Sequence, residues 1–249
     1  QRHVVSGVAC GKAGRRVPLP AVACMKKGTV MDFSREFLRL ACEKGVLRFG
    51  EFITKAGRRS PYFFNSGLFD DGASFRALCG FYVEAILASG IAFDGLFGPA
   101  YKGIPLVTGV AIRLAERGFD KPFSFDRKEA KDHGEGGRLI GAPLRGRILI
   151  VDDVISAGTS VRASIELIRA HGAEPAGVVI ALDRMERGEG EESAAQEVSR
   201  RFGIPVIAVA TLEDLLALLA DDPRLREQLP AVRAYRERYG VQGEAARRA

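Results

Sequence analysis

Two adjacent carboxylates, Asp152 and Asp153, follow the apolar run ILIV (148–151) and precede the small, hydroxyl-rich stretch VISAGTS (154–160). An apolar run of four ending on Val151 reads as a buried strand, which places both acids at its carboxyl edge. Residues 156–160 then lead into a helix expected from about Val161. Helix N-termini carry unpaired N–H groups and positive dipole potential, so this loop suits a phosphate. Gly158 lets the backbone approach closely, and Ser156, Thr159 and Ser160 add hydroxyl donors. Two carboxylates cannot bind that same phosphate. They suit what lies beside it: ribose hydroxyls, a magnesium ion, or positive charge developing on a sugar. The competing reading is an acidic strand end with N-capping hydroxyls.

Four more segments carry chemistry-bearing residues. RKEAKDHGEGG (127–137) follows a predicted strand and reads as a mobile lid, with Arg127, Lys128, Lys131 and His133 as its cations. Its acids Glu129, Asp132 and Glu135 offset that charge, so geometry must sort the signs; the alternative is a solvated polar hairpin. If the segment is extended, Arg127, Lys131 and His133 share one face and Lys128 takes the other. FGPAYKGIP (97–105) puts small residues around Tyr101 and Lys102, a tight turn that frees Lys102 to meet an anion. GEFITKAGRRSPYFFNSG (50–67) offers Lys55 to a phosphate and Phe63 with Phe64 either to a flat ring or to the core. ALDRMERGEG sets Arg184 just past a strand end, where its planar fork fits a carboxylate, or where it is simply a surface residue.

The elements that must position these residues follow from periodicity. From Asp32 the sequence alternates amphipathic helical segments with short apolar strands: a helix stopped at Gly45, two strands with a turn at 55–58, then helix and strand in turn, and two closing helices. That alternation predicts an α/β fold whose central sheet is mainly parallel and flanked by helices. Ligands of such sheets lie beyond the carboxyl ends of the strands, near the reversal of strand order. The places to look are the residues after Phe97, Asp126, Val151 and Asp183.

Composition narrows the function classes. The 249 residues are 47% apolar and 27% charged, enough for one full core and unlike a disordered chain. No apolar run reaches the roughly 18 residues needed to span a bilayer. The net charge of +6 comes from residues 1–31, with six basic and no acidic side chains; the remainder holds 31 of each sign. A formally neutral body gives nucleic-acid binding no global support. Cys10, Cys24, Cys42 and Cys79 match no zinc spacing and read as reduced thiols. Residues 1–31 weakly resemble a transit peptide. The favoured expectation is a poorly packed basic extension preceding a natural start at Met25 or Met31.

ILIVDDVISAGTS resembles the phosphoribosyl pyrophosphate signature of type I phosphoribosyltransferases. All five segments together, in this order, resemble the orotate phosphoribosyltransferases of bacteria from about Phe37 to Gly240. The resemblance implies a type I phosphoribosyltransferase domain over 32–249 with a small hood built largely from 32–70. It implies transfer of ribose 5-phosphate from phosphoribosyl pyrophosphate to orotate, with Mg2+ carried by pyrophosphate and bridged by water to Asp152 and Asp153. On the matching residues, Val154, Ile155, Ser156, Ala157, Gly158, Thr159 and Ser160 would line the 5-phosphate site. Asp152 and Asp153 would hold the ribose hydroxyls, with Asp153 catalytic. Tyr101, Lys102, Arg127, Lys128, Lys131 and His133 would surround pyrophosphate, with Lys131 or His133 assisting its departure. Phe63, Phe64 and Arg184 would hold orotate, and Lys55 would reach pyrophosphate or ring. The resemblance further implies a cytoplasmic homodimer with shared active sites and no nucleic-acid or membrane partner. A transferase acting on another base and a nucleotide- or RNA-binding regulator are the alternatives.

Overall fold

The computed structural model describes residues 32–54, 57–131, 137–155, 158–188 and 190–241. Helix α1 (Phe33–Glu43) starts where the Asp32 side chain accepts a hydrogen bond from the Arg35 N–H, and the chain leaves it through Gly45 at φ +67°. Strands β1 (Leu47–Ile53) and β2 (Arg59–Phe64) pair antiparallel as a separate two-stranded sheet. A 3-10 turn (Ser66–Leu68) leads to α2 (Gly72–Ser89). There follow β3 (Gly95–Gly98), α3 (Gly103–Glu116), β4 (Phe123–Lys131), β5 (Gly137–Gly141), β6 (Arg147–Val151), α4 (Thr159–Ala170), β7 (Glu174–Asp183), α5 (Ala194–Phe202) and β8 (Val206–Thr211). Helices α6 (Leu212–Asp221) and α7 (Leu229–Tyr239) finish the described chain.

The main sheet has the order β5-β4-β3-β6-β7-β8, parallel throughout except for β5. Both faces are covered, which is why its strands read as continuous apolar runs rather than alternating ones. On β6, Leu149 and Val151 face a core shared with α1, α2, α3, α6 and α7, whereas Ile148 and Ile150 face a second core built with α4 and α5. All four are buried. Each such side chain contributes about 1.5–3 kcal/mol of burial free energy. The loops after β3 and β6 leave in opposite directions, toward β4 on one side and β7 on the other, so the strand order reverses between these two neighbours. That crevice is where a ligand fits.

Two local expectations change. Residues 127–131 continue β4 rather than leaving it, and the following GRLIG segment forms β5 and pairs back on β4. The stem of the expected lid is thus an antiparallel hairpin; residues 132–136, with His133, lie outside the described residues. Helix α4 begins at Thr159, two residues before the expected start, because Gly158 at φ +68° turns the chain and its carbonyl accepts from Arg162 N–H at 2.9 Å.

Candidate active site

Strand β6 delivers Asp152 and Asp153 to the carboxyl edge of the sheet, and the backbone fixes them there. Asp152 N–H donates to the Val179 carbonyl at 3.0 Å, the Asp153 carbonyl accepts from Ala181 N–H at 2.9 Å, and the buried Tyr82 hydroxyl donates to the Asp152 carbonyl at 2.8 Å. The two carboxylates then meet different surroundings. Asp153 Oδ2 receives Lys102 Nζ and Ser66 Oγ, each at 2.7 Å, and its Oδ1 accepts from Val154 N–H at 2.8 Å. Asp152 forms no ion pair among the described residues; it accepts from Asp153 N–H at 2.8 Å and from Ser160 Oγ at 3.3 Å. Burial, and next the charge of Asp153, push the Asp152 carboxyl up to about 7.

Lys102 reaches Asp153 because the β3–α3 turn is drawn tightly against β6. A Cβ on Gly103 would stand 2.5 Å from Pro99 Cδ and 3.0 Å from the Val151 carbonyl, and a Cβ on Gly98 would collide with the Gly103 carbonyl. Only glycines permit this approach. The Ala100–Tyr101 peptide is cis, and Ala100 N–H donates to Asp126 Oδ1 at 2.7 Å. The second oxygen of Asp126 meets Arg138 of β5 at 3.4 Å, so the same carboxylate ties the turn to the β4–β5 hairpin. Tyr101, beside Lys102, is 66% exposed.

At the other side of the acids stands the N-terminus of α4. By helix geometry the first N–H groups, those of Thr159, Ser160 and Val161, have no acceptor in their own helix. With Gly158 partly open to solvent and Ser160 bonded to Asp152, a turn suited to an anion and a pair of acids sit side by side. Val154 and Ile155 are half-buried along the connecting loop, and Ile155 packs on the α4–α5 core. Ser156 and Ala157 lie outside the described residues.

Arg184 follows the last residue of β7, the strand next to β6. Its Nε donates to Glu186 Oε1 at 2.7 Å, its Nη2 donates to Ser60 Oγ at 3.0 Å, and its guanidinium lies 4.3 Å over the ring of Tyr62. Arg184 is therefore a held, partly buried group and not a loose surface arginine. The phenylalanine pair divides. Alternation along β2 turns Phe64 inward, 6.2 Å from Phe37 in the core, while Phe63 stays partly exposed and stacks on Phe52 at 5.4 Å. They do not form one wall. Arg127 is half-buried in β4, and among the described residues its Nε has no hydrogen-bond partner. Lys128 and Lys131 belong to β4, their side chains outside the description, as is Lys55 altogether.

The arrangement thus joins Lys102, Asp152, Asp153, Gly158, Thr159 and Ser160 in one crevice, with Arg184 one strand away. Three residues beside these were not singled out as site groups: Ser60 and Ser66, plain serines within the segment 50–67, and Asp126, marked only as a strand end. Glu186 had a faint signal, an acid two residues beyond Arg184.

Comparison with known proteins agrees with this geometry. The phosphoribosyl transferase domain family matches residues 69–210. An orotate phosphoribosyltransferase of Laribacter hongkongensis is 67% identical over 84% of this chain and 99% of its own length. One from Chromobacterium violaceum is 65% identical over 84% and 98%. The crystal structure of orotate phosphoribosyltransferase from Francisella tularensis aligns with a TM-score of 0.75 at 39% identity, covering 83% of this chain and all of that one. The chain belongs to the phosphoribosyl transferase family, among the orotate phosphoribosyltransferases.

Proposed function

We infer that the protein transfers ribose 5-phosphate from phosphoribosyl pyrophosphate to orotate, giving orotidine 5′-monophosphate and pyrophosphate, a step of pyrimidine synthesis. The observation that carries this reading is the pair Asp152–Asp153 set between Lys102, 2.7 Å from Asp153, and the open N-terminus of α4. A phosphate at that terminus would bring its ribose against the acids and its anomeric substituent toward Lys102.

As the bond from the anomeric carbon to pyrophosphate breaks, its electron pair leaves with pyrophosphate and the sugar becomes oxocarbenium-like. A carboxylate about 4 Å from a unit positive charge interacts with it by roughly 4 kcal/mol at an effective dielectric of 20. Realised only in the transition state, that difference corresponds to about a thousandfold in rate, an upper figure because the charge is partial. Orotate nitrogen then completes the new bond. Lys102, with Tyr101, Arg127, Lys128, Lys131 and His133, would surround the departing pyrophosphate, and Lys131 or His133 would supply a proton to it. Arg184, with one edge held by Glu186 and Ser60, would offer its remaining N–H groups to the orotate carboxylate. Phe63 or Lys55 would border the ring.

Magnesium fits this donor set. Carboxylate and phosphate oxygens are the hard ligands it takes, and among the described residues no group of three or more His, Cys, Asp or Glu is arranged to hold an ion unaided. On this reading the substrate's own phosphates would carry it, and when bound it would neutralise pyrophosphate charge. We further propose a homodimer with shared lids; the exposed apolar residues Ile112 and Phe119, on and just beyond α3, support an interface. A cytoplasmic setting accords with the pathway; among the described residues no helix is long and apolar enough to cross a membrane.

The test is an orotate absorbance assay with phosphoribosyl pyrophosphate and magnesium, on the parent and on Asp153→Ala, beside a panel of purine and other pyrimidine bases. Orotate should be consumed by the parent alone, and no other base should match it. Turnover of a purine in preference to orotate would overturn the assignment.

A further inference from the structure

Ser66 begins the 3-10 turn directly after β2, so it belongs to the hairpin side of the crevice, yet its hydroxyl donates to Asp153 Oδ2 at 2.7 Å across 87 residues of sequence. Ser66 Oγ in turn accepts from Lys102 Nζ at 3.2 Å. Lysine, serine and carboxylate form a closed triangle. Its members are not equally fixed. The Lys102 side chain is 54% exposed and that of Asp153 10%. Ser66 is buried, and its backbone is pinned on either side: Asn65 N–H bonds the Val46 carbonyl at 2.8 Å, and Asn65 Oδ1 accepts from Gly67 N–H at 3.1 Å. Lysine is the member free to move.

A polyanionic substrate would draw Lys102 away from Asp153 toward its phosphates. Asp153 Oδ1 keeps the Val154 N–H. Without Ser66, Oδ2 would then be a buried carboxylate oxygen with no donor, free to rotate off the sugar. We propose that Ser66 is a positioning residue for the transfer: it holds the Asp153 carboxylate aimed at the ribose once Lys102 has left it, and so links the base-side strand β2 to the group that stabilises the transition state. This rests on the role given above to Asp153.

Steady-state rates with phosphoribosyl pyrophosphate varied at saturating orotate test it on Ser66→Ala, Ser66→Thr and Asp153→Asn. The expected result for Ser66→Ala is kcat lowered about tenfold, KM for phosphoribosyl pyrophosphate within about twofold, and a melting temperature within about 2 °C of the parent. Ser66→Thr, which keeps the hydroxyl, should recover most of kcat. A Ser66→Ala enzyme with undiminished kcat, a loss that tracks a lowered melting temperature, or a threonine variant no better than alanine would overturn the proposal. Asp153→Asn separates the two claims. If it loses activity while Ser66→Ala does not, only the positioning role fails; if it retains full activity, the role of the acids fails as well.

Discussion

Asp152 and Asp153 are the same chemical group one residue apart, and their neighbours set them to different tasks. Lys102 and Ser66 compensate Asp153, whereas Asp152 is buried beside that charge and held up near 7. The sign of the consequence is definite. The folded protein keeps the Asp152 proton to about pH 7, while the unfolded chain releases it near pH 4, so stability from this group is greatest below about pH 4 and falls as pH rises toward 7. Asp152→Asn removes that penalty. Denaturant unfolding should find the variant more stable than the parent at pH 8, by on the order of 2 kcal/mol, with the gap closing near pH 4; a parent more stable at pH 8 would contradict the reading. Arg184 makes a second prediction. Its fork is set by Glu186, so Glu186→Ala should raise KM for orotate about tenfold and leave KM for phosphoribosyl pyrophosphate nearly unchanged. Equal effects on both constants would show that Glu186 acts elsewhere.

The elements matter through how closely they approach. Gly98 and Gly103 let α3 start against the ends of β3 and β6, and that approach delivers Lys102. Gly98→Ala would push a methyl into the Gly103 carbonyl, so thermal melting should fall by about 5 °C or more; an unchanged melting temperature would show that the turn yields easily. The acids at a strand end, the helix N-terminus behind them and the lysine turn were legible in the sequence, because each is a local pattern with a local cause. Strand β5 was not: its five residues pair with β4 through non-local hydrogen bonds, and Gly-rich flanks mask its period. The start of α4 was displaced by one left-handed glycine. Phe63 and Phe64 looked like a pair, but a strand sends neighbours to opposite faces. Ser66 and Ser60 are invisible until β2 is laid beside β6 and β7, since a lone serine has no spacing to betray it.

At the scale of the whole molecule, the sheet reverses strand order between β3 and β6, and the hairpin β1–β2 meets that crevice at two seams, Ser66 with Asp153 and Ser60 with Arg184. On the proposed roles, one seam would lie on the ribose side and the other on the base side, a common wall for two substrates. If lids are exchanged in a dimer, the alternation expected of an extended segment would give Lys128 and Lys131 to different sites. Two mixtures check this, Lys128→Ala with Asp153→Ala and Lys131→Ala with Asp153→Ala. One of them should recover up to about a quarter of parental activity and the other none, since mixed dimers rebuild one site only when the lysine crosses the interface; recovery in both or in neither would contradict the division. The central claim is that the amides opening α4 grip the 5-phosphate while Asp152 and Asp153 face the ribose. A crystal soaked with ribose 5-phosphate measures it directly. The account predicts phosphate density within hydrogen-bond reach of the N–H groups of 159–161 and sugar hydroxyls against both acids; phosphate bound at any other place, or either carboxylate turned away from the sugar, would contradict it.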